Sequence, residues 1–423
     1  MLDIKLIREH PEIVKQNLEK RKDKEKITWL LKLIQLDKRY LKIKQNVETL
    51  RNQRNIASRE INELQKQGKD IKAKIKQIKE IPKLIEENEV KLQKAKDEIN
   101  YYMMRLPNIL HESVPYGKDS MDNKEIRNWG KIPKINFELK NHSDLIESLE
   151  VGDFKKALEV SGAGFYYMSG KLSLLNMALM QFAIDQLVRK GFTLIIPPLM
   201  LNRKAYEGVT DLADFENVMY KIENEDLYLI ATSEHPIAAL FMNETIPEDK
   251  LPIKICGISP CFRKEIGSHG VDTRGLFRVH QFWKIEQFIF CKPEDSWKHH
   301  EELQKNSEEL YQSLKIPHKI VNICTGDIGV MAAKKYDIEA WFPRQKEYKE
   351  VGSNSNCTDY QARRLNIKFV DTNGNRTFVH TLNNTAIATS RALVAILENY
   401  QQKDGSVKIP EILQKYTGFK EIN

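Results

Sequence analysis

Two stretches decide how this chain is read: 253-IKICGISPCFRKE-265 and 275-GLFRVHQFWKIEQFIF-290. Each is an apolar run long enough for a strand, and each carries charges at even spacing. Alternate side chains of an extended chain share a face. Arg263 and Glu265 therefore point one way. In the second run Arg278, His280, Phe282, Lys284 and Glu286 share a face, with Val279, Gln281, Trp283 and Ile285 on the other. The intervening Gly/Asp/Arg segment joins the runs into a hairpin. One face of that hairpin carries several cations, carboxylates and an aromatic ring. A solvated face accounts for the Lys and Glu but leaves Phe282 poorly placed. A base stacked on the ring, with arginines on its phosphates, accounts for all of them. From these residues alone, a wet face and a nucleotide site both stand.

Outward from the hairpin, from about residue 135 on, helices and strands mix. The stretch 173-SLLNMALMQFAIDQLVRKG-191 reads as an amphipathic helix stopped by Gly191. After it, 191-GFTLIIPPLM-200 reads as a strand interrupted by Pro197 and Pro198, which belongs at a sheet edge or an interface. A further strand is expected in 222-IENEDLYLIATSEH-235. There is no βαβ periodicity, P-loop or GxGxxG, so the class expected is an antiparallel α+β domain.

The N-terminal part has a different texture. Between Lys20 and Glu80 there are 19 Lys/Arg against 8 Asp/Glu. The whole chain carries +8, so the remainder is slightly acidic. Leu33, Tyr40, Val47, Arg54 and Ile61 recur every seven residues, as do Leu36, Ile43, Leu50, Ala57 and Leu64, offset by three. This is a coiled-coil seam with one charged intrusion. Gly68, in 65-QKQGKD-70, suits a tight turn. A return seam follows through Ile71, Ile75, Ile78, Pro82, Ile85, Glu89, Leu92, Lys96, Ile99, Met103 and Leu106, kinked at Pro82 and weakened at Glu89 and Lys96. Limbs of about 35 residues give an arm roughly 50 Å long. A dimerisation or spacer coiled coil is one reading. The basic surplus favours binding a nucleic-acid backbone. The stretch 106-LPNILHESVPYGKDSMDN-123 reads as a linker. The expected division is an arm domain over 1–110 with its coiled coil at about 28–104, a linker over 111–134, and a catalytic domain over 135–423.

Several classes are excluded or disfavoured. No apolar run approaches a membrane span, and the N-terminus lacks the features of a secretion signal. Cys256, Cys261, Cys291, Cys324 and Cys357 form no CxxC pair, so reduced thiols in a cytoplasmic protein are expected and zinc is not. His299 and His300 belong to no metal-like constellation and read as surface or core residues.

At this point the residues resemble a family. "FRKE", a loop and "RVHQFWKIE" are similar to motif 2 of the class II aminoacyl-tRNA synthetases. "GFTLIIPPLM" resembles motif 1, with Pro198 at its proline, and 383-NNTAIATSRALVAILENYQ-401 resembles motif 3, with Arg391 as its arginine. Three motifs in order over about 200 residues are far more specific than any one alone. Within the class, 232-TSEHP-236, 350-EVGSNSNCTDYQARR-364, 397-LENYQQKDGSVKIPEIL-413 and the basic arm resemble the seryl-tRNA synthetase family. The short stretch after Arg391 is expected to leave no room for the C-terminal anticodon-binding domain of other class II enzymes.

The resemblance implies a homodimer formed through motif 1. It implies activation of L-serine by ATP with Mg2+, transfer to tRNA(Ser) held by the arm, and no membrane partner; tRNA(Sec) is a second acceptor it allows. It implies Arg263 on the α-phosphate, with Glu286 and Arg391 also catalytic. ATP would be held by Arg263, Lys264, Glu265, Arg278, Val279, Phe282, Glu350, Val351, Gly352, Ser353 and Arg391, with Arg274 as a further phosphate helper. Phe282 would stack on adenine opposite Arg391, and Glu350 and Ser353 would hold the metal. Serine would be held by Thr232, Ser233, Glu234, Glu286 and Thr385, with its ammonium on Glu286 or Glu234. No general base is evident, and an ionised attacking carboxylate needs none. Two departures stand out. Asn384, Thr385, Ala386 and Ser390 occupy the usually glycine-rich approach to Arg391, a form similar to archaeal and eukaryotic members, and Gly164 stands where a basic or polar residue is expected. A relative that charges a carrier protein is disfavoured by the arm. A non-catalytic RNA-binding relative is disfavoured by intact Arg263, Phe282, Glu286 and Arg391.

Overall fold

The computed structural model describes residues 1–211, 215–265 and 275–423, without the side chains at 73, 74, 77, 215 and 216. The chain divides into two units after Leu106. The first comprises α1 (Ile4–Glu9), α2 (Pro11–Lys20), α3 (Lys24–Lys66), α4 (Lys72–Ile78) and α5 (Ile81–Met103). With 43 residues, α3 is longer than the limb expected and spans about 65 Å. Its seam runs as the heptads require. Leu33, Val47 and Ala57 are buried, Leu36, Tyr40, Ile43, Leu50, Ile61 and Leu64 are half-buried, and Arg54 turns out to solvent. Gly68 makes the turn at φ 66°, a conformation open to glycine without a Cβ penalty.

The return limb breaks where a kink was expected. It stops at Ile78 and restarts at Ile81, with Pro82 in the first turn of α5, where its missing N–H costs nothing. Ile85, Ala95 and Met103 are buried, whereas Glu89 and Lys96 lie off the seam and are exposed. Glu89 instead pairs with Arg51 of α3 at 2.6 Å. Arg8 of α1 grips the buried Asp37 of α3 with two hydrogen bonds of 2.7 Å, a bidentate fork.

The second unit is built on an eight-stranded sheet: β1 (Lys124–Trp129), β2 (Thr193–Ile195), β3 (Ile253–Phe262), β4 (Gln281–Cys291), β5 (His318–Asn322), β6 (Lys334–Phe342), β7 (Glu347–Asn356) and β8 (His380–Ala388). The spatial order is β1-β5-β6-β7-β8-β4-β3-β2. All neighbours are antiparallel except β2 and β3. Helices α6 (Gly170–Arg189), α7 (Ser296–Ser313) and α8 (Thr389–Asn399) share one core with the sheet, in which Phe182, Leu303 and Ile396 meet Ile285 and Ile289 of β4. The even-numbered Phe288 and Phe290 enter a second cluster with Tyr206, Ile237 and Leu365. Both faces of β4 are thus covered, which is why it reads as a nearly continuous apolar run.

Two expectations are corrected. The segment 111–134 is no free linker, because it contains β1, an edge strand paired with β5. Just upstream, Asn108 Nδ2 donates to the carbonyls of Met331 and Cys357 at 3.0 and 2.9 Å. The strand expected over 222–235 shrinks to Leu227–Leu229, paired with Met200–Asn202. The proline-interrupted run does place β2 at the sheet edge. All five cysteines are buried and free.

Candidate active site

On the face of β4 that carries Phe282, Lys284 and Glu286, a cavity of about 410 Å³ opens toward β7, β8 and the segment around Thr232. The alternation read from the sequence holds inside β4 and fails before it. Val279, expected on the opposite face, lines the cavity with Phe277 and Arg278. His280 is turned away, stacked on Phe165 at 5.1 Å and bonded to the Tyr220 hydroxyl at 2.5 Å. The strand begins only at Gln281, so period 2 does not apply upstream. Gly164 is accounted for here: its φ is 79°, and a Cβ would stand 2.5 Å from the His280 ring.

Arg263 and Glu265 both reach the cavity just past the end of β3. The Arg263 N–H donates to His280 O at 2.9 Å, which pins the two arms of the hairpin. Its guanidinium lies 5.2 Å from the Phe282 ring and donates to Ala231 O at 3.3 Å. Glu265 accepts from Arg278 Nε at 2.6 Å. The Arg391 guanidinium lies over the Phe277 ring, 5.1 Å from its centre. Lys264 does not line the cavity; its N–H donates to Val218 O, and its ammonium lies 5.8 Å from the Tyr220 ring. Ser233 does not line it either, being fully buried against Gly257. Arg274 falls outside the described residues.

Two β-bulges shape the far wall. Ile338 pairs with Gly352 and Glu339 with Glu350, so Val351 is the extra residue. In a regular strand Glu350 and Ser353, three apart, would face opposite ways. The bulge turns Glu350 round, and Ser353 Oγ donates to its Oε1 at 3.0 Å. A second bulge between Thr385 and Ile387 likewise brings Thr385 and Ala388 to the cavity. These strands approach closely at Gly352, where a Cβ would lie 3.1 Å from Thr385 O.

Charge is distributed unevenly. At one end Lys284 and Glu286, both nearly inaccessible, pair at 2.6 Å, and Thr385 Oγ1 donates to Glu286 Oε2 at 3.2 Å. Burial pushes the Glu286 carboxyl up, against the pull of Lys284. Glu234 accepts from Gln361 and Asn383 at 3.2 and 3.0 Å. Burial, with the charge of Glu286, pushes it up to about 7. His235, buried beside Lys284 and Arg263, is driven down to about 3 and is neutral. At the other end Arg391 pairs with Glu350 at 3.4 Å and donates to its carbonyl at 2.8 Å. Burial raises Glu350, but Arg391 and Lys335 outweigh it and hold the carboxyl low. Asp337, opposite Ser353, is pushed up by burial, against the pull of Lys335.

Lys284, Asn383, Lys335 and Phe277 all line the cavity and were not singled out in the sequence. Lys284 was detectable, since it lies between Phe282 and Glu286 on the predicted face. Asn383 and Lys335 come from other strands, and nothing local marks them. The cavity has flat aromatic and guanidinium walls, cations held by carboxylates, and a deep acidic end with threonine hydroxyls. Such a set can hold a purine, its phosphates and a small ammonium-bearing acid.

Residues 1–110 match the seryl-tRNA synthetase N-terminal domain, and residues 218–400 match the class II tRNA synthetase core domain of the G, H, P, S and T enzymes. The chain is 57% identical over 418 residues to the serine--tRNA ligase of Methanocella arvoryzae, covering 98% of each. It is 51% identical over 443 residues to that of Pyrococcus horikoshii, covering 100% of this chain and 97% of the other. The crystal structure of seryl-tRNA synthetase from Pyrococcus horikoshii complexed with ATP superposes with a TM-score of 0.95 at 50% identity, over 100% and 99% of the two chains. The cytoplasmic serine-tRNA ligase of Naegleria fowleri in complex with AMP does so with 0.90 at 36%, over 100% and 99%. With its antiparallel class II core and its long helical arm, the chain belongs to the seryl-tRNA synthetase family.

Proposed function

We propose that this protein is a serine--tRNA ligase that forms seryl-adenylate from L-serine and ATP and transfers the seryl group to the 3′ end of tRNA(Ser). The observation that carries the reading is the convergence of Arg263, Phe282 and Glu286 from the two arms of the hairpin, and of Arg391 from the start of α8, on one cavity.

In this reading Phe282 and Phe277, with Arg391, provide flat surfaces for the purine. Arg263 meets the α-phosphate. It stabilises the charge that develops as the serine carboxylate attacks phosphorus and the bond to pyrophosphate breaks. The nucleophile is already ionised, so positioning does the work of a base. Thr232, Glu234, Glu286 and Thr385 receive serine. Lys284 already balances Glu286, which leaves Glu234 as the carboxylate for the ammonium. A site lined by hydroxyls and carboxylates discriminates against a substrate that lacks the hydroxyl far better than an apolar pocket rejects a methylene. Glu350 and Ser353, whose side-chain oxygens lie 3.0 Å apart beside Asp337, fit a hard cation such as Mg2+. Bound there, it would neutralise phosphate charge.

Exposed Leu174, Met177, Leu194 and Ile196 on and beside α6 and β2 support a homodimer through this face. The basic surplus of residues 20–80 supports tRNA binding by the arm, with tRNA(Sec) as a second candidate acceptor. No helix among the described residues is long and apolar enough to cross a membrane, and the cytoplasm is the proposed location. Serine-dependent ATP–pyrophosphate exchange tests the proposal. Absence of exchange with serine, or equal exchange with threonine or alanine, overturns it. Deleting residues 28–104 is expected to spare exchange and abolish tRNA charging.

A further inference from the structure

Besides Lys284, three cations on the cavity wall each hold a carboxylate. Arg278 holds Glu265 at 2.6 Å, Arg391 holds Glu350 at 3.4 Å, and Lys335 holds Asp337 with Nζ 3.1 Å from Oδ1 and 3.2 Å from Oδ2. The two arginines belong to the motifs of the family. Lys335 belongs to none of them. It stands on β6 across from Ser355, and Asp337 stands across from Ser353. Lys335 and both serines line the cavity, while Asp337 lies behind them, nearly inaccessible.

A lysine whose only task was to neutralise a buried aspartate would have no reason to present a quarter of its side chain to an open cavity. The Lys335 ammonium stands 3.1 and 3.2 Å from the two Asp337 oxygens at the end of a flexible stem, so it can turn from Asp337 to another anion in the cavity. A polyanion entering beside Glu350 and Ser353 can therefore draw on a cation that is already desolvated and oriented. Exchange of one anionic partner for another avoids stripping water from a bare charge.

We propose that Lys335 is a polyphosphate-binding residue, parked on Asp337 and transferred to the β/γ-phosphates of ATP, with Asp337 as its positioning residue. This rests on the ATP-dependent activation proposed above and adds a residue to it.

The test is direct binding, measured by calorimetry in magnesium buffer with ATP, AMP and inorganic pyrophosphate. Lys335→Met is expected to weaken ATP and pyrophosphate about 10-fold or more, as expected for loss of one charge-assisted contact, and to leave AMP within about twofold. Lys335→Arg should restore most of the loss. Asp337→Asn should weaken ATP by a smaller factor and spare AMP. Binding of ATP by Lys335→Met within twofold of wild type overturns the proposal, as does an equal loss of ATP and AMP, which would make Lys335 structural. If Lys335→Met does not fold, Lys335→Gln carries the same comparison. Wild-type protein that binds no ATP would sink the activity reading itself, whereas normal wild-type binding with an indifferent variant sinks this inference alone.

Discussion

The two ends of the cavity solve one problem, holding charge against a low-dielectric wall, in opposite ways. At the end proposed for serine Lys284 and Glu286 are nearly inaccessible and locked to each other, with Thr385 completing the set. At the end proposed for the phosphates Arg278 is half exposed on Glu265, Arg391 holds Glu350 at the cavity surface, and Lys335 reaches the cavity from the buried Asp337. A small neutral zwitterion must be recognised by fixed groups that do not move. A polyphosphate that arrives with a cation and leaves as pyrophosphate needs partners that can change hands. Buried pairs resist disruption because a leftover charge has no water to turn to. Exposed pairs contribute little and exchange freely.

Substitutions at each end test that contrast, beginning with the strongest. Arg263→Ala is expected to lower serine-dependent ATP–pyrophosphate exchange about 10³-fold, roughly 4 kcal/mol of transition-state stabilisation, without shifting the melting temperature by more than a few degrees. A loss below tenfold would remove Arg263 from the chemistry. Glu286→Gln strands Lys284 in the interior, so denaturant unfolding should show a loss of about 3 kcal/mol together with a steep rise in the serine KM. Arg278→Ala, the same kind of deletion at the exposed end, should cost under about 1 kcal/mol of stability while weakening ATP. If both variants lost stability equally, the contrast would fail.

Glu234 supplies a pH test. Its folded-state carboxyl titrates at about 7, above an unfolded value of about 4.3. The folded protein therefore binds this proton more tightly than the unfolded chain, and stability falls as pH rises from about 4 through 7. Glu234→Gln removes that dependence. Relative to wild type it should gain up to about 2 kcal/mol between pH 5 and 8, read by urea unfolding, while its serine affinity drops. A wild-type-like pH profile in the variant would assign the titration elsewhere. The smallest effect is expected at Gly352. Alanine there must push aside Thr385 O and the Ile338 side chain at 3.1 and 3.2 Å, for about 1–2 kcal/mol of overpacking, with serine and ATP affinities falling together because both walls meet at that point.

Much of this was legible in the chain, for local reasons. The heptads of α3 are a one-dimensional pattern, and each seam residue from Leu33 to Leu64 is buried or half-buried as its position demands, apart from the charged Arg54. Inside β4 alternation alone placed Phe282, Lys284 and Glu286 on one wall. The order of three short motifs carried the family. Where the geometry ceased to be regular, local reading failed. Val279 and His280 exchanged faces because the strand starts at Gln281. The return limb broke at residues 79–80, while its apolar seam positions Ile85, Leu92, Ile99 and Met103 stayed buried or half-buried.

What the sequence determined by itself was periodicity: the arm, the hairpin and the residue types gathered on its face. What only the tertiary structure decided was which distant strands would meet that face and which way their side chains would turn. Glu350 and Ser353 share a wall only through the bulge at Val351, and Lys335 reaches it only because β6 lies beside β7. A bulge and a strand order are settled by pairing between segments far apart in the chain, and no local spacing encodes them.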